Sequence, residues 1–316
     1  MKKAWMRNLT VILSNGKQKL VFGENYLDGK VDLDIKVDGH KYMSSLKDNC
    51  SVKITNLTYY DVVRIIDGKF YDLEIKCGYK NTGSHTIFKG GILYISNSLG
   101  DRKSNTIIIL GASNMVAKYG QQRLNLTLNS GINMYSAINF ICKRAGIPNS
   151  NISTQFKKQF LNDIVNANST IGSWLDSLTS SNSNIIVNSD NTTSGEFLIY
   201  DSSKSNARVI TLTDKNIVLC GGYPQLTSDG LRLTVLPTFG FMCGDVIKID
   251  NSLIDIRATS NSLQNISKGY YLDEEGLYTI FEIDYSLSNR NSDFSYELTC
   301  RSRSLISNIT GGLSNE

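Results

Sequence analysis

Residues 70 to 95 read FYDLEIKCGYKNTGSHTIFKGGILYI and predict a β-hairpin. Apolar and polar residues alternate over 70–79, which is the period of a strand with one buried face. The tetrapeptide KNTG at 80–83 supplies a turn that contains a glycine, and the return strand follows over 85–95. This stretch therefore favours antiparallel β structure.

Short strands separated by turns extend this pattern from about Leu9 to Leu110. VDLDIKVD at 31–38 and SVKITNL at 51–57 alternate in the same way, which predicts strands with one solvated face. NTIIILGA at 105–112 is almost entirely apolar, which predicts a strand covered on both faces. The first unit is therefore predicted to be an antiparallel β-barrel or sandwich.

Two amphipathic helices are predicted in the middle of the chain. Apolar residues recur at three- and four-residue steps over 134–145, and Gly146 and Pro148 follow as stop signals. A second helix is predicted at about 170–180 with Ser169 as its cap. Its apolar stripe consists of Ile171, Trp174, Leu175 and Leu178.

Strand patterns then return. A small hairpin is predicted from IIV at 185–187 and FLIY at 197–200, and longer strands from LRLTVLP at 231–237, DVIKID at 245–250, LYTIFEIDYSL at 277–287 and FSYELTCRS at 294–302. The fold class is therefore mainly β with a small α+β insertion. The predicted domains are a first β domain at 1–114, a mixed α/β middle domain at 115–222 and a second β domain at 223–316.

Composition points to an ordinary globular protein. Hydrophobic residues make up 41% of the 316-residue chain and charged residues 20%, and the net charge of +4 is too small to imply nucleic-acid or membrane binding. The start MKKAWMRNLT lacks the apolar segment of a secretory signal, and no apolar run long enough to span a membrane is found. The six cysteines are scattered without a CxxC pair, so we expect reduced, mostly buried thiols: Cys50, Cys77, Cys142, Cys220, Cys243 and Cys300.

Residues that could carry chemistry are few. The two histidines, His40 and His85, are interpreted as ordinary surface or strand-end residues. Solvated strand faces or loops also explain the acidic residues that could suggest glycoside cleavage or calcium binding, namely Asp32, Asp34, Asp38, Asp72, Glu74, Asp101, Glu274 and Glu275. GDRKS at 100–104 lacks a phosphate-binding glycine pattern. No catalytic, cofactor-binding or metal-ligating residue is assigned, and we expect a protein that is not an enzyme.

Four segments in order resemble the first domain of phage baseplate hub proteins: SVKITNL at 51–57, DLEIKCGY at 72–79, IFKGGI at 87–92 and NTIIILGA at 105–112. Segments similar to that family's middle domain are AGIP at 145–148 and STIGSWLDSL at 169–178, and segments similar to its last domain lie at 230–249 and 276–302. The chain departs from the family at Cys243, where a proline-like residue is more usual, and at 281–284, where a histidine-containing segment is usual.

The resemblance implies a hub of a contractile tail, related to the hub domains of type VI secretion spikes. In that family two tube-like β-barrel domains per chain flank a helix-containing domain, and three chains form a pseudo-sixfold ring that connects the tail tube to the central spike. The implied partners are a homotrimer, the spike, tail tube, tape measure and baseplate wedge proteins, with DNA only in transit and no stable membrane insertion. The implied location is the virion tail baseplate, assembled in the host cytoplasm.

Two other functions fit parts of the sequence. A carbohydrate-binding or tail-fibre module would also be rich in β structure and in tyrosine, of which the chain has 16. It would not need two helices between β units. A peptidoglycan hydrolase fused to a hub is the second alternative, but the segments above leave no length for such a domain.

Overall fold

The computed structural model describes residues 6–23, 33–43, 48–80, 82–99, 105–119, 122–147, 151–162, 164–179, 185–188, 198–201, 207–213, 222–227, 230–255 and 272–303. Antiparallel strands dominate and helices are few, which confirms the predicted mainly β class.

The strands, in chain order, are β1 (Arg7–Ser14), β2 (Lys19–Phe22), β3 (Asp34–Tyr42), β4 (Asn49–Leu57), β5 (Asp72–Tyr79), β6 (Gly83–Leu99), β7 (Asn105–Ser113), β8 (Arg123–Leu128), β9 (Asn151–Ile152), β10 (Val165–Thr170), β11 (Ile185–Asn188), β12 (Leu198–Asp201), β13 (Val209–Thr211), β14 (Gln225–Thr227), β15 (Gly230–Val235), β16 (Val246–Lys248), β17 (Leu277–Ser288) and β18 (Phe294–Ser302). The α-helices are α1 (Tyr59–Asp67), α2 (Met134–Arg144) and α3 (Ile171–Thr179).

Thirteen of these strands form one sheet that contains both ends of the described chain. Its order is β14-β15-β18-β17-β3-β4-β7-β6-β5-β1-β2, with β16 and β13 attached beside β17. The first and last β regions are therefore joined by the antiparallel pair β3–β17, in which Lys41 faces Ile283 and Val37 faces Leu287. Within the described ranges no strand pairing joins β2 to β14, so closed barrels remain a proposal.

Strand β17 changes its neighbour partway along its length. Its first residues pair with β16, where Thr279 faces Val246. After an irregularity between Ile280 and Glu282, the rest of the strand pairs with β3. A bulge of this kind bends a strand and raises its twist. Strand β17 therefore pairs with both β16 and β3 along one of its edges.

A single hydrophobic core underlies this sheet. Ile35, Val52 and Ile75 of the first region and Ile283 and Leu298 of the last region are all 0–1% exposed and belong to one cluster. These residues recur at every second position in strands, as the sequence alternation predicts. The two β regions therefore share their buried side chains as well as their backbone pairing.

The predicted hairpin at 70–95 is confirmed as β5 and β6, with Tyr79 facing Gly83 at the turn. Gly83 has φ of +84°, a left-handed conformation that glycine adopts without strain. The prediction for 105–112 is wrong in part. Ile107 and Ile109 are fully buried, but Leu110 is 42% exposed beside Tyr94 of β6, so one face of β7 is partly open.

Helix α1 was not predicted, because its apolar residues were interpreted as strand pattern. Thr58 caps it by accepting a hydrogen bond from the Asp61 backbone N–H, and the Thr58 hydroxyl donates to the Asp61 carboxylate. Val62 and Ile65 form its buried face. The threonine followed three residues later by an acidic residue is the signal that indicates this helix.

The middle region has its own hydrophobic core around α2 and α3, and both predicted helices are confirmed. Asn133 caps α2 by accepting from the Ser136 backbone N–H. The cap of α3 is Thr170, which accepts from the Ser173 N–H at 3.2 Å, so the prediction of Ser169 is wrong by one residue. Thr170 is the last residue of β10 and directly precedes α3, whereas Ser169 lies one residue further inside the strand.

The predicted hairpin of the middle region is confirmed as β11–β12. β9 lies parallel to β12. Strands β8 and β10 form a separate antiparallel pair. The side chain of Leu178 lies outside the described residues.

Candidate assembly seam between the two β regions

The seam between the first and last β regions consists of the β3–β17 pair and the side chains that cross it. Seven residue pairs, from Lys36–Ser288 to Tyr42–Glu282, align the two strands. Asn289 extends the alignment past the end of β17. Its side-chain amide donates to the Leu33 carbonyl at 2.8 Å and its Oδ1 accepts from the Ile35 N–H at 2.9 Å.

An aromatic ring closes over a glycine at the centre of the seam. Gly39 faces Tyr285, and a Cβ at position 39 would lie 2.2 Å from ring atoms of Tyr285. The Tyr285 hydroxyl donates to the Asn49 carbonyl at 3.4 Å. Only glycine leaves room for this ring, which buries apolar surface across three strands.

A buried polar cluster connects the β5–β6 hairpin to β18. Tyr296 Oη lies 2.7 Å from Cys77 Sγ and 2.8 Å from His85 Nε2. Cys77 and His85 face each other on β5 and β6. Because β18 and β5 lie far apart in the strand order, this contact means that the sheet curls until the two regions meet.

This cluster is electrically neutral near pH 7. Burial raises the pKa of the Cys77 thiol to about 12, and the hydrogen bond from Tyr296 opposes this only partly. Burial, with the nearby charges of Lys41 and Arg208, lowers the pKa of His85 to about 4. Burial also raises the pKa of Tyr296 well above its usual value. A protonated thiol beside a neutral imidazole is a poor nucleophile, so the Cys77–His85 pair is suited to holding the sheet.

Arg7 at the start of β1 binds the turn between β17 and β18. Its guanidinium donates to the carbonyls of Ser288 at 3.3 Å, Ser292 at 3.1 Å and Asn291. The same group lies 5.0 Å from the centre of the Phe294 ring. Since Arg7 is in the first β region and the turn is in the last, this contact also crosses the seam.

Each of the two histidines lies two residues from a strand end and is partly exposed, and each also makes contacts across the seam that the sequence did not indicate. His85 belongs to the buried cluster described above. His40 lies on β3 directly opposite Asp284, and its side chain is 16% exposed. The sequence could not reveal the surroundings of the two histidines, because each histidine contacts a residue more than 200 positions away.

His40, Glu282 and Asp284 form the group of described residues whose donor atoms are close enough to hold a metal ion, all within 4.8 Å. Tyr42, beside them on β3, has its pKa raised by burial and by the carboxylates of Glu282 and Asp284. Glu282 and Asp284 fall within the segment 281–284, where the sequence differs from the hub proteins that it resembles.

Among the described residues, the other acidic side chains considered from the sequence form no group of three close enough to hold a metal ion. Glu74 of β5 accepts a hydrogen bond from Thr86, and Asp38 of β3 accepts one from Ser286. Glu274 and Glu275 border an open groove of about 730 Å³ beside Lys248. Asp32, Asp101 and the GDRKS segment lie outside the described residues.

The described cysteines are buried and unbonded to one another: Cys50, Cys77, Cys142, Cys243 and Cys300. This confirms their predicted burial, and Cys220 lies outside the described residues. Within the described ranges no helix has both the length and the apolar character to cross a membrane.

No protein-family model matches the sequence, and no curated protein matches it significantly. Similarity is found among solved structures. The 43 kDa tail protein of prophage MuSo2 from Shewanella oneidensis has a TM-score of 0.58 at 11% identity, over 94% of this chain and 98% of that one. A tail protein from Neisseria meningitidis MC58 has a TM-score of 0.58 at 10% identity, over 96% and 98%.

Type VI secretion proteins are also similar. The E. coli c3393 protein, a type VI secretion component with structural similarity to the T4 phage tail proteins gp27 and gp5, has a TM-score of 0.54 at 10% identity, over 88% of this chain and 75% of that one. A chain of the Francisella PdpA–VgrG complex has a TM-score of 0.57 at 8% identity, over 94% of this chain but 58% of that one. The protein therefore has the fold of phage tail proteins and of the related type VI secretion proteins.

Proposed function

We propose that the protein is a structural baseplate hub of a phage or phage-like tail. The observation that carries the proposal is the similarity of fold over 94–96% of the chain to a prophage tail protein and to a tail protein from Neisseria meningitidis, each covered over 98% of its own length. Identity near 10% supports a shared architecture, and the function follows from that architecture by analogy.

In this proposal the domains 1–114 and 223–316 are two tube-like β units, and three chains form a pseudo-sixfold ring. Three copies with two units each supply six similar positions around one axis, which resolves the mismatch between a sixfold tube and a threefold spike. The seam supports this arrangement, because it holds the two β regions of one chain together across seven residue pairs.

The proposed partners are two further copies of the chain, the central spike, the tail tube, the tape measure and the baseplate wedge proteins, with DNA only in transit. The proposed location is the virion tail baseplate after assembly in the host cytoplasm. We propose no catalytic role, and the neutral Cys77–His85–Tyr296 cluster supports this.

We assign the contact between copies to the open face of β6 and β7. Tyr94 and Leu110 face each other there at 58% and 42% exposure, with Leu93 beside them at 56%. Adjacent exposed apolar side chains on a strand face are typical of contact surfaces. A neighbouring copy would remove them from water.

The test is the oligomeric state and shape of the purified chain, alone and with its spike protein. Light scattering should give a trimer, and end-on electron-microscopy averages should show a central channel with near-sixfold features. A monomer in both conditions, or particles without a channel, would overturn the hub proposal. Binding of the monomer to a sugar array would then favour a carbohydrate-binding module.

A variant with Tyr94→Asp and Leu110→Asp tests the assigned contact. We expect trimer formation to weaken at least tenfold while circular dichroism stays unchanged, because both side chains are exposed in the single chain. Phe160→Asp is the matched control, since Phe160 is 58% exposed but lies in the helix-containing region. Equal weakening by the control would refute the assignment.

A further inference from the structure

His40 lies between two carboxylates on the paired strands β3 and β17. Asp284 is directly opposite His40, and Glu282 is opposite Tyr42, two residues along the same face. Asp284 Oδ1 contacts His40 Nδ1, and Glu282 Oε1 lies 3.0 Å from His40 Nε2. One imidazole thus meets one carboxylate at each ring nitrogen.

The two nitrogens have different surroundings. Nδ1 has hydrogen-bonding contact with Asp284, whereas the buried Nε2 makes no hydrogen bond within the described residues even though Glu282 is near. A carboxylate on one nitrogen holds the proton there and directs the lone pair of the other nitrogen outward. The same arrangement orients histidines that bind metal ions in proteins.

The spacing between Nε2 and Glu282 also fits a shared metal ion. Zinc binds histidine nitrogen and carboxylate oxygen at about 2.0–2.2 Å each. In the tetrahedral coordination usual for zinc, two such ligands lie roughly 3.4 Å apart. The observed separation of 3.0 Å is slightly shorter, so a small widening between His40 Nε2 and Glu282 Oε1 would admit the ion.

The charges favour a cation as well. Glu282 and Asp284 place two carboxylates on one face of β17. Among the described residues the salt bridges of these two carboxylates are with His40, and none is with a lysine or an arginine. Lys41, which follows His40, points to the opposite face of β3 and is 6% exposed.

We propose that His40 Nε2 and Glu282 bind one divalent ion of the zinc class, with Asp284 orienting the imidazole and water completing the coordination. Imidazole and carboxylate together suit zinc, cobalt and nickel better than magnesium or calcium. The ion would link β3 to β17 and so strengthen the seam between the two β regions. The inference goes beyond the proposed hub function and does not depend on it.

The experiment uses the full chain after treatment with a chelator and desalting. Isothermal titration with Co²⁺ and Zn²⁺ should give one site per chain with a Kd in the micromolar range, and saturating Zn²⁺ should raise Tm. Bound Co²⁺ should lack thiolate charge-transfer absorption, which separates this site from the six cysteines. Magnesium should have no effect on Tm.

Variants assign the ligands. His40→Gln and Glu282→Gln should each abolish Zn²⁺ binding, and two variants are used in case one fails to fold. Asp284→Asn should weaken binding by about 10- to 100-fold, as expected for an orienting carboxylate. Asp38→Asn is the matched control, because Asp38 lies on the same strand face but contacts Lys36 and Ser286.

Three results would overturn the proposal. One is the absence of binding at millimolar Zn²⁺. Another is binding that both His40→Gln and Glu282→Gln leave intact. The third is a seam stabilised by protonation of His40 but insensitive to Zn²⁺ and chelator, since a proton would then take the place of the metal ion.

Discussion

His40 and His85 both lie at the seam, yet their surroundings are opposite. His40 is partly exposed and meets two carboxylates, whereas His85 is in a buried cluster with a thiol and a phenol. Strand β3 contributes to both environments, because His40 points to one face while the charge of the next residue, Lys41, acts on His85 from the other. One strand can therefore present a partly exposed face beside two carboxylates and, on its opposite side, a buried face beside an uncharged polar cluster.

The largest expected effect is at Tyr296, which is 1% exposed. Tyr296→Ala should lower the free energy of unfolding by about 5 kcal/mol, because it leaves a cavity and removes the partner of Cys77 and His85. Tyr296→Phe should cost only about 1–3 kcal/mol, since it removes the hydroxyl and keeps the ring. Urea unfolding measures both, and equal losses would show that the hydroxyl contacts contribute little.

Trp174 provides a reference outside the seam. It is 1% exposed and donates its indole N–H to the Leu124 carbonyl at 3.1 Å. Trp174→Ala should cost about 3–5 kcal/mol, because it empties the core between α2 and α3. The variant should keep the wild-type dependence of stability on acid pH, and a melting curve identical to wild type would show that the ring is not part of a core.

Lowering the pH should reduce the free energy of unfolding through His85. The pKa of His85 is about 4 in the folded chain and its ordinary value is 6.5, so the unfolded chain binds a proton first. Stability from this group is complete above pH 6.5 and is lost as the pH falls to about 4, with a total near 3 kcal/mol. Urea unfolding across this pH range measures the loss.

His85→Gln should flatten this acid dependence, because the titrating group is removed. His40→Gln, measured in the presence of chelator, should leave the His85 contribution in place. If the loss disappears in His40→Gln and persists in His85→Gln, the contrast drawn between the two environments is wrong.

The smallest expected effect is at Gly39. Gly39→Ala should cost about 1–3 kcal/mol, because the new methyl group collides with the Tyr285 ring and displaces it from the seam. The double variant Gly39→Ala with Tyr285→Leu should lose less than the sum of the two single changes. Additive losses in thermal unfolding would show that ring and glycine do not interact.

The elements of this fold were predictable, but their long-range pairing was not. Alternation and stop signals are local, so they indicate β5, β6, β17 and α2 within a few residues. The pairing of β3 with β17 depends on matching two surfaces 242 positions apart, as for Lys41 and Ile283. Local patterns carry no such information. Helix α1 was missed for a different reason, since its short apolar run also fits a strand.

The candidate site also combines locally predictable elements with long-range contacts that the sequence does not indicate. The motifs correctly indicated the fold of tail proteins. They placed the two histidines at the surface or at strand ends but did not indicate their contacts across the seam. Their partners Asp284 and Tyr296 lie on strands near the other end of the chain. Burial and pKa depend on that pairing, so neither could be read from the residues around the histidines.

The 242 positions between Lys41 and Ile283 also have a consequence during synthesis. At about 5–20 residues per second, a ribosome needs roughly 12 to 50 seconds to make the chain between them. Throughout that interval the edge of β3 has its backbone groups unsatisfied and can pair with other nascent chains. Folding of the first β region must therefore finish late, and chaperones that cover open strand edges should raise the yield of native protein.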